Sequence, residues 1–187
     1  MENRYSKIVL MKVGPYCGLS LDKIINIKQK EEKKVGKFFW GYSGVFCRPH
    51  VVNNLIRYAQ GEKIHVLFVE TKSKFIPRSH SKFRMYSTDK DKWIKLPKDV
   101  LLIGNTSQPN FAITGKNLKK VDFNIDLSQY CTLKGVFPNE SQRFDNYFKY
   151  RVDKACGVYI ENSSTEKKEI SIKYVSELVE PYSILIK

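Results

Sequence analysis

The stretch Lys37-Phe38-Phe39-Trp40-Gly41-Tyr42-Ser43-Gly44 places four large aromatic side chains within five positions. Bulky aromatic residues suit a pleated strand and Ser43-Gly44 supplies a turn, so the stretch predicts a strand over residues 38–42. Aromatic rings can form either the centre of a core or the stacking wall of a base-binding pocket. Phe38, Trp40 and Tyr42 share strand parity, and the sequence leaves both roles open.

The segments around this stretch predict alternating strands and helices. A strand over residues 4–13 ends at Gly14-Pro15, and a helix capped by Ser20 ends at Gly36. The polar residues 28–34 are interpreted as a solvated last turn and linker. A second helix begins at Pro49 and stops at Gly61, and the apolar residues 64–69 predict a central strand.

The second half of the chain predicts mainly strands. We expect a meander with strands over 100–103, 110–113 and 121–127, with turns at 105–106 and 115–116. A helix is predicted from Ser141 to Ala155, followed by strands near 158–160 and 169–174. Without repeats or linkers, residues 1–187 are predicted to be a single α+β domain. Its sheet should be mixed and strongly curved, or a small β-barrel, flanked by about three helices.

Composition excludes several classes of protein. With 42% hydrophobic and 13% aromatic residues, the chain is not disordered, and no apolar run is long enough to cross a membrane. Four cysteines without CxxC spacing argue against a disulfide framework or zinc site, and we expect a cytoplasmic protein with buried thiols.

The charge of the chain is +14 and unevenly distributed. Residues 1–93 hold 19 Lys and Arg against 8 Asp and Glu, whereas residues 94–187 hold 14 against 11. Such an excess attracts phosphates, although a lysine-rich surface can also serve solubility alone.

A basic segment and a second tryptophan are candidate ligand-binding features. Lysines and arginines alternate with Phe75 and Phe83 in a stretch without acids, and the candidate phosphate contacts are Lys72, Lys74, Arg78, Lys82 and Arg84. Trp40 and Tyr42 are the candidate stacking residues. Trp93, flanked by Lys92 and Lys95, is a second candidate for stacking or else a half-buried surface anchor.

Catalytic signals are weaker. Cys47 lies three residues before His50 near a predicted helix start, where a thiol pKa can be lowered, and Asp153 lies in a polar cluster. A lone cysteine is more often a small buried apolar residue, and an aspartate on a helix more often forms local ion pairs. No phosphate-binding glycine motif or metal-ligand pattern occurs, so neither a cofactor nor a metal is expected.

The order of these elements is similar to that of PUA-like modules of the EVE and YTH kind. The similarity covers about the first 85 residues and rests on Ile8-Val9-Leu10-Met11-Lys12, the helix from Ser20, Phe39-Trp40-Gly41-Tyr42, the helix after Pro49 and residues 64–75. It implies a small curved β-barrel with flanking helices that seats a modified base in an aromatic pocket.

The sequence therefore predicts a module that binds a nucleotide, a modified base or a nucleic acid, with an aromatic pocket and a basic rim. In this interpretation the ring of Trp40 is open to a cleft. A nucleotide-processing transferase or hydrolase that uses Cys47, His50 or Asp153 is the alternative, and capture of a small nucleotide signal is a third hypothesis.

Overall fold

The computed structural model describes residues 5–15, 19–43, 47–71, 81–104, 110–147, 154–161 and 166–187. Three helices occur in these ranges: α1 (Leu21–Val35), α2 (Pro49–Ala59) and α3 (Phe144–Tyr147). The strands are β1 (Lys7–Val13), β2 (Phe38–Ser43), β3 (His65–Glu70), β4 (Ser81–Lys82), β5 (Met85–Ser87), β6 (Ile94–Lys95), β7 (Ile103–Gly104), β8 (Asn110–Asp126), β9 (Tyr130–Lys134), β10 (Phe137–Arg143), β11 (Lys154–Tyr159) and β12 (Glu169–Ile186).

Ten of these strands form one mixed sheet, which confirms the predicted combination of helices with a mixed sheet. The neighbouring strands β10, β9, β11, β1, β3 and β12 follow one another, and only β1 and β3 pair in parallel. The long strand β12 pairs with β8 along one edge and with β3 and then β5 along the other. Strand β2 pairs with β8, and β6 pairs with β5.

The sheet bends so that β2 approaches β3. In the sheet, β8 and β12 lie between these two strands, a lateral distance of about 14 Å if the sheet were flat. The rings of Trp40 on β2 and Phe68 on β3 nevertheless lie 4.7 Å apart, centroid to centroid. Among the described residues the strand pairings do not close into a ring, so the predicted β-barrel is not supported.

Apolar residues pack on both faces of the sheet. Helices α1 and α2 cover one face, where Leu21, Ile25, Val52 and Leu55 are buried against the strands. On the other face, Phe144 and Tyr130 pack against β1, β3 and β11. Gly157 permits this packing because a Cβ at that position would lie 2.1 Å from Cζ of Phe144.

Helix α1 begins and ends where the sequence predicts. The hydroxyl of Ser20 accepts a hydrogen bond from the amide of Lys23 (3.4 Å), and Gly36 adopts a left-handed conformation with φ of 78°. The prediction for residues 28–34 is wrong, because the helix continues to Val35 and Lys28 and Glu31 are buried. These two side chains form an ion pair (2.9 Å) that a hydrophobicity pattern cannot reveal.

Three other predicted elements differ from the structure. Of the strand predicted over residues 100–103, only residue 103 lies in a strand, β7. The helix predicted from Ser141 to Ala155 is wrong at both ends, because residues 141–143 belong to β10 and residues 154–155 to β11. Within the described part it corresponds to α3, and residues 148–153 lie outside that part. Strand pairing on both sides outweighs the helical spacing of the aromatic residues here. The predicted turn at 115–116 lies inside the continuous strand β8, where the register with β12 shifts.

A buried phenol links α1 to β12 and gives a prediction for alkaline pH. The hydroxyl of Tyr174 donates to Oδ1 of Asp22 (2.5 Å), and burial together with this carboxylate raises the pKa of Tyr174 to about 12. Because this pKa exceeds the usual 10.0, the contribution to stability is complete below pH 10 and is lost as the pH rises towards 12. Ultraviolet titration should show one tyrosine near 12 that disappears in Tyr174→Phe. Ionisation of Tyr174 near pH 10 would contradict the assignment.

Candidate nucleic-acid interface

Trp40 and Tyr42 lie in the core. Each is 6% exposed, and the shared parity of Phe38, Trp40 and Tyr42 directs all three side chains to the face that α1 and α2 cover. The hydroxyl of Tyr42 donates to the carbonyl of Cys47, and burial raises the pKa of Tyr42 well above its usual value. The expectation that the Trp40 ring is open to a cleft is therefore wrong, and the core role is the one observed.

The predicted phosphate contacts fall into two groups. Lys72, Lys74 and Arg78 lie outside the described residues, whereas Lys82 and Arg84 are exposed. Their neighbour Phe83 is buried, and its amide donates to the carbonyl of Leu102 (3.0 Å). In this part of the segment the aromatic and basic residues alternate because Phe83 points into the core while Lys82 and Arg84 face the solvent.

The structure does not bring the candidate catalytic residues together in the described part of the chain. Cys47 is buried with its sulfur 3.6 Å from that of Cys156, whereas His50 is exposed in the first turn of α2. The contact with Cys47 and burial raise the pKa of the Cys156 thiol. Asp153 lies outside the described residues, within which no group of three His, Cys, Asp or Glu side chains could hold a metal ion.

Trp93 lies at the surface, close to cations. It is half-buried in the connection between β5 and β6, and its indole nitrogen donates to the carbonyl of Lys90 (3.0 Å). The ammonium of Lys187 lies 4.0 Å from the centroid of the ring. This distance is typical of a cation–π contact, so the ring face already accommodates a positive charge.

Backbone hydrogen bonds hold Lys187 beside this tryptophan. The carbonyl of Lys187 accepts from the amides of Arg84 and Met85 (both 2.9 Å), and its amide donates to the carbonyl of Met85 (3.0 Å). The C-terminal end of β12 therefore positions the side chain of Lys187 beside the β5–β6 hairpin. No local pattern in the sequence signals this contact, because 94 positions separate the two residues.

The turn before Trp93 is ordered by Asp89. Its Oδ1 accepts hydrogen bonds from the amides of Asp91 and Lys92 and from the hydroxyl of Ser87, each 2.9 Å. The amide of Lys92 is the main cause of the lowered pKa of Asp89. The hydrogen bonds of the Asp89 carboxylate thus stabilise the backbone of the turn immediately before Trp93.

We define the Trp93 surface as this ring together with the exposed cations of the β5–β6 hairpin and of the segments that precede it or pair with it. Its members are Lys82, Arg84, Lys92, Trp93, Lys95 and Lys187. Ile94, which follows the tryptophan, is 45% exposed, and Asp91 is also exposed nearby. The hairpin thus combines a partly exposed aromatic ring with exposed cations, and these are the groups that contact bases and phosphates in single-strand-binding proteins.

Comparison of the chain with protein-family models, curated proteins and solved structures finds no match. None of the helices in the described ranges is long and apolar enough to cross a membrane.

Proposed function

We propose that this protein is a cytoplasmic module that binds single-stranded nucleic acid through the Trp93 surface. The observation that carries the proposal is the half-buried ring of Trp93 on a hairpin with exposed cations, together with the ammonium of Lys187 4.0 Å from the ring centroid. The buried free thiols of Cys47, Cys131 and Cys156 support a cytoplasmic location, because thiols stay reduced in that compartment.

The chemistry of the surface favours nucleic acid over other anions. An acidic peptide would use the cations but would gain little from an aromatic ring, whereas each base has a flat face that stacks on indole. A duplex hides those faces inside its own stack, so an unpaired strand fits a single surface tryptophan better. The lysines attract phosphates without reading base edges, and we therefore expect little sequence preference.

Trp93→Ala should weaken binding of a fluorescent single-stranded oligonucleotide, measured by anisotropy at low salt. Stacking contributes about 1–3 kcal/mol per base, so the affinity should fall by about 5-fold to 150-fold. Trp93→Phe keeps a ring and should lose less. The thermal midpoint of both variants should remain close to that of the wild type, because Trp93 is only half-buried.

A pair of lysine variants supplies the matched electrostatic control. Lys95→Gln should reduce the salt dependence of binding by about 0.7 in the slope of log affinity against log salt, the value for one phosphate contact on a single strand. Lys134→Gln removes an equal charge from β9, which lies towards the opposite end of the sheet from β5 and β6, and should leave the slope unchanged.

Failure to bind RNA or DNA strands at low salt would overturn the proposal. Binding of mononucleotides as tight as that of strands would favour the capture of a small nucleotide instead. That result would keep the stacking role of Trp93 and remove the polymer as the ligand.

A further inference from the structure

We propose that the outward face of α1 binds the phosphates of the same strand, as an extension of the Trp93 surface. The inference rests on the proposed function and adds a second contact region to it. It implies a polymer longer than the one or two nucleotides that Trp93 and its rim could hold. The ligand is the sugar–phosphate backbone of single-stranded RNA or DNA.

The first observation concerns the acids of α1, all three of which are engaged with the rest of the protein. Asp22 accepts from the hydroxyl of Tyr174, and Glu31 accepts from Lys28 and from the amide of Phe39. Glu32 accepts from the amides of Asn117 (2.5 Å) and Leu118 (3.2 Å) on β8. Each carboxylate is thus held by another part of the protein, and in the described ranges none of them forms an ion pair with an exposed lysine of the helix surface.

The second observation concerns those lysines, Lys23, Lys30 and Lys33. They are exposed, and a turn of 100° per residue places them within about 80° of one another around the helix axis. Within the described ranges none of the three forms an ion pair or a side-chain hydrogen bond. The sequence Lys30-Glu31-Glu32-Lys33 suggests local ion pairs, whereas in the fold Glu31 contacts Lys28 and β2, Glu32 contacts β8, and Lys30 and Lys33 stay exposed.

The third observation connects α1 with the segment that follows the hairpin of Trp93. Lys34 forms an ion pair with Asp99 (2.6 Å), and the ammonium of Lys28 donates to the carbonyl of Leu101 (2.9 Å). Residues 96–101 follow β6 directly, so the C-terminal half of α1 packs against the segment that leaves the hairpin of Trp93. From Lys23 to Lys33 the face extends for about 15 Å along the helix, enough for several phosphates.

The two regions predict different responses to strand length. The test compares strands of about 4 and about 16 nucleotides, which bracket the site sizes of single-strand-binding domains. In the triple variant Lys23→Gln, Lys30→Gln, Lys33→Gln, the long strand should bind at least tenfold more weakly at low salt. Its salt slope should fall by about 2, from three lost phosphate contacts at about 0.7 each. Binding of the short strand, which depends on Trp93, should change less than twofold.

A charge-matched triple variant provides the control. Arg57→Gln, Lys134→Gln, Lys167→Gln removes three exposed cations from α2, β9 and the segment before β12, and it should bind both strands like the wild type. Glutamine has nearly the helix propensity of lysine, so the α1 variant should retain its thermal midpoint.

The outcomes separate this inference from the proposed function. If the short strand binds through Trp93 and the α1 variant binds the long strand unchanged, the inference is overturned and the proposed function stands. An equal loss in both triple variants would also overturn it, because net charge alone would then explain the effect. If neither strand binds to the wild type, the proposed function and the inference both fall.

Discussion

Trp40→Ala should lower the free energy of unfolding by about 3–5 kcal/mol, the usual cost of removing a large aromatic side chain from a core. Trp40 is 6% exposed and contacts Phe68 across the bend of the sheet, so its loss leaves a cavity between β2 and β3. Urea denaturation followed by circular dichroism measures the change. The slope of the transition should stay constant if the variant folds to the same state.

Trp93→Ala is the matched comparison, because it removes the same side chain from the surface. Its cost should stay below about 1 kcal/mol, since surface substitutions usually change stability by about half of that. A loss of less than about 1 kcal/mol for Trp40→Ala, with reduced nucleotide binding, would restore Trp40 to a ligand-binding role. The two variants therefore separate the core tryptophan from the proposed stacking tryptophan.

The local signals in the sequence correctly predicted several elements of the first 70 residues. Ser20 and Gly36 mark the ends of α1, Pro49 begins α2, and the apolar run from residue 64 forms the interior strand β3. Each of these depends on side chains close together in the chain, such as a cap, a helix-initiating proline or an apolar run. These predictions are correct because the tertiary packing favours the same secondary structure as the local sequence.

The direction in which β2 presents its aromatic residues could not be predicted. Alternation shows that Phe38, Trp40 and Tyr42 share a face, but both faces of this strand are covered. Phe39 packs into a second cluster with Phe83 and Leu102, while Trp40 packs beneath α1 and α2. A strand with two buried faces carries no alternation of polarity from which an exposed side could be recognised.

The candidate interface was predictable only in part. Lys82, Arg84 and Trp93 lie in a segment rich in basic and aromatic residues, a composition that indicates nucleic-acid binding. Lys187 reaches the hairpin through the pairing of β12 with β5, and distant residues, not the lysines of α1, engage Asp22 and Glu32. Both features depend on contacts between residues far apart in the sequence.

Glu31→Ala should destabilise the protein by about 3–5 kcal/mol, because it leaves the buried ammonium of Lys28 without its counterion. Glu31 is 2% exposed, and its carboxylate also accepts hydrogen bonds from the amides of Phe39 (2.6 Å) and Leu101 (3.4 Å). A single side chain thus joins α1, β2 and the segment after β6. Chemical denaturation at neutral pH measures the loss.

Two further variants distinguish the lost charge pair from the lost hydrogen bonds. Glu31→Gln keeps an oxygen that can accept from Phe39 but still leaves Lys28 unpaired, whereas adding Lys28→Met removes the buried charge as well. The double variant should therefore be more stable than Glu31→Gln alone, and the difference should decrease as the pH rises.

Burial lowers the pKa of Lys28 below its usual 10.5, and without Glu31 the folded state should release that proton at a still lower pH. The loss in free energy of unfolding caused by Glu31→Gln is complete at pH values where Lys28 is protonated in both the folded and the unfolded state. It diminishes as the pH rises through the pKa that Lys28 has in the folded state, towards 10.5. A penalty independent of pH, with no recovery in the double variant, would show that the hydrogen bonds to the backbone, and not the ion pair, make Glu31 important.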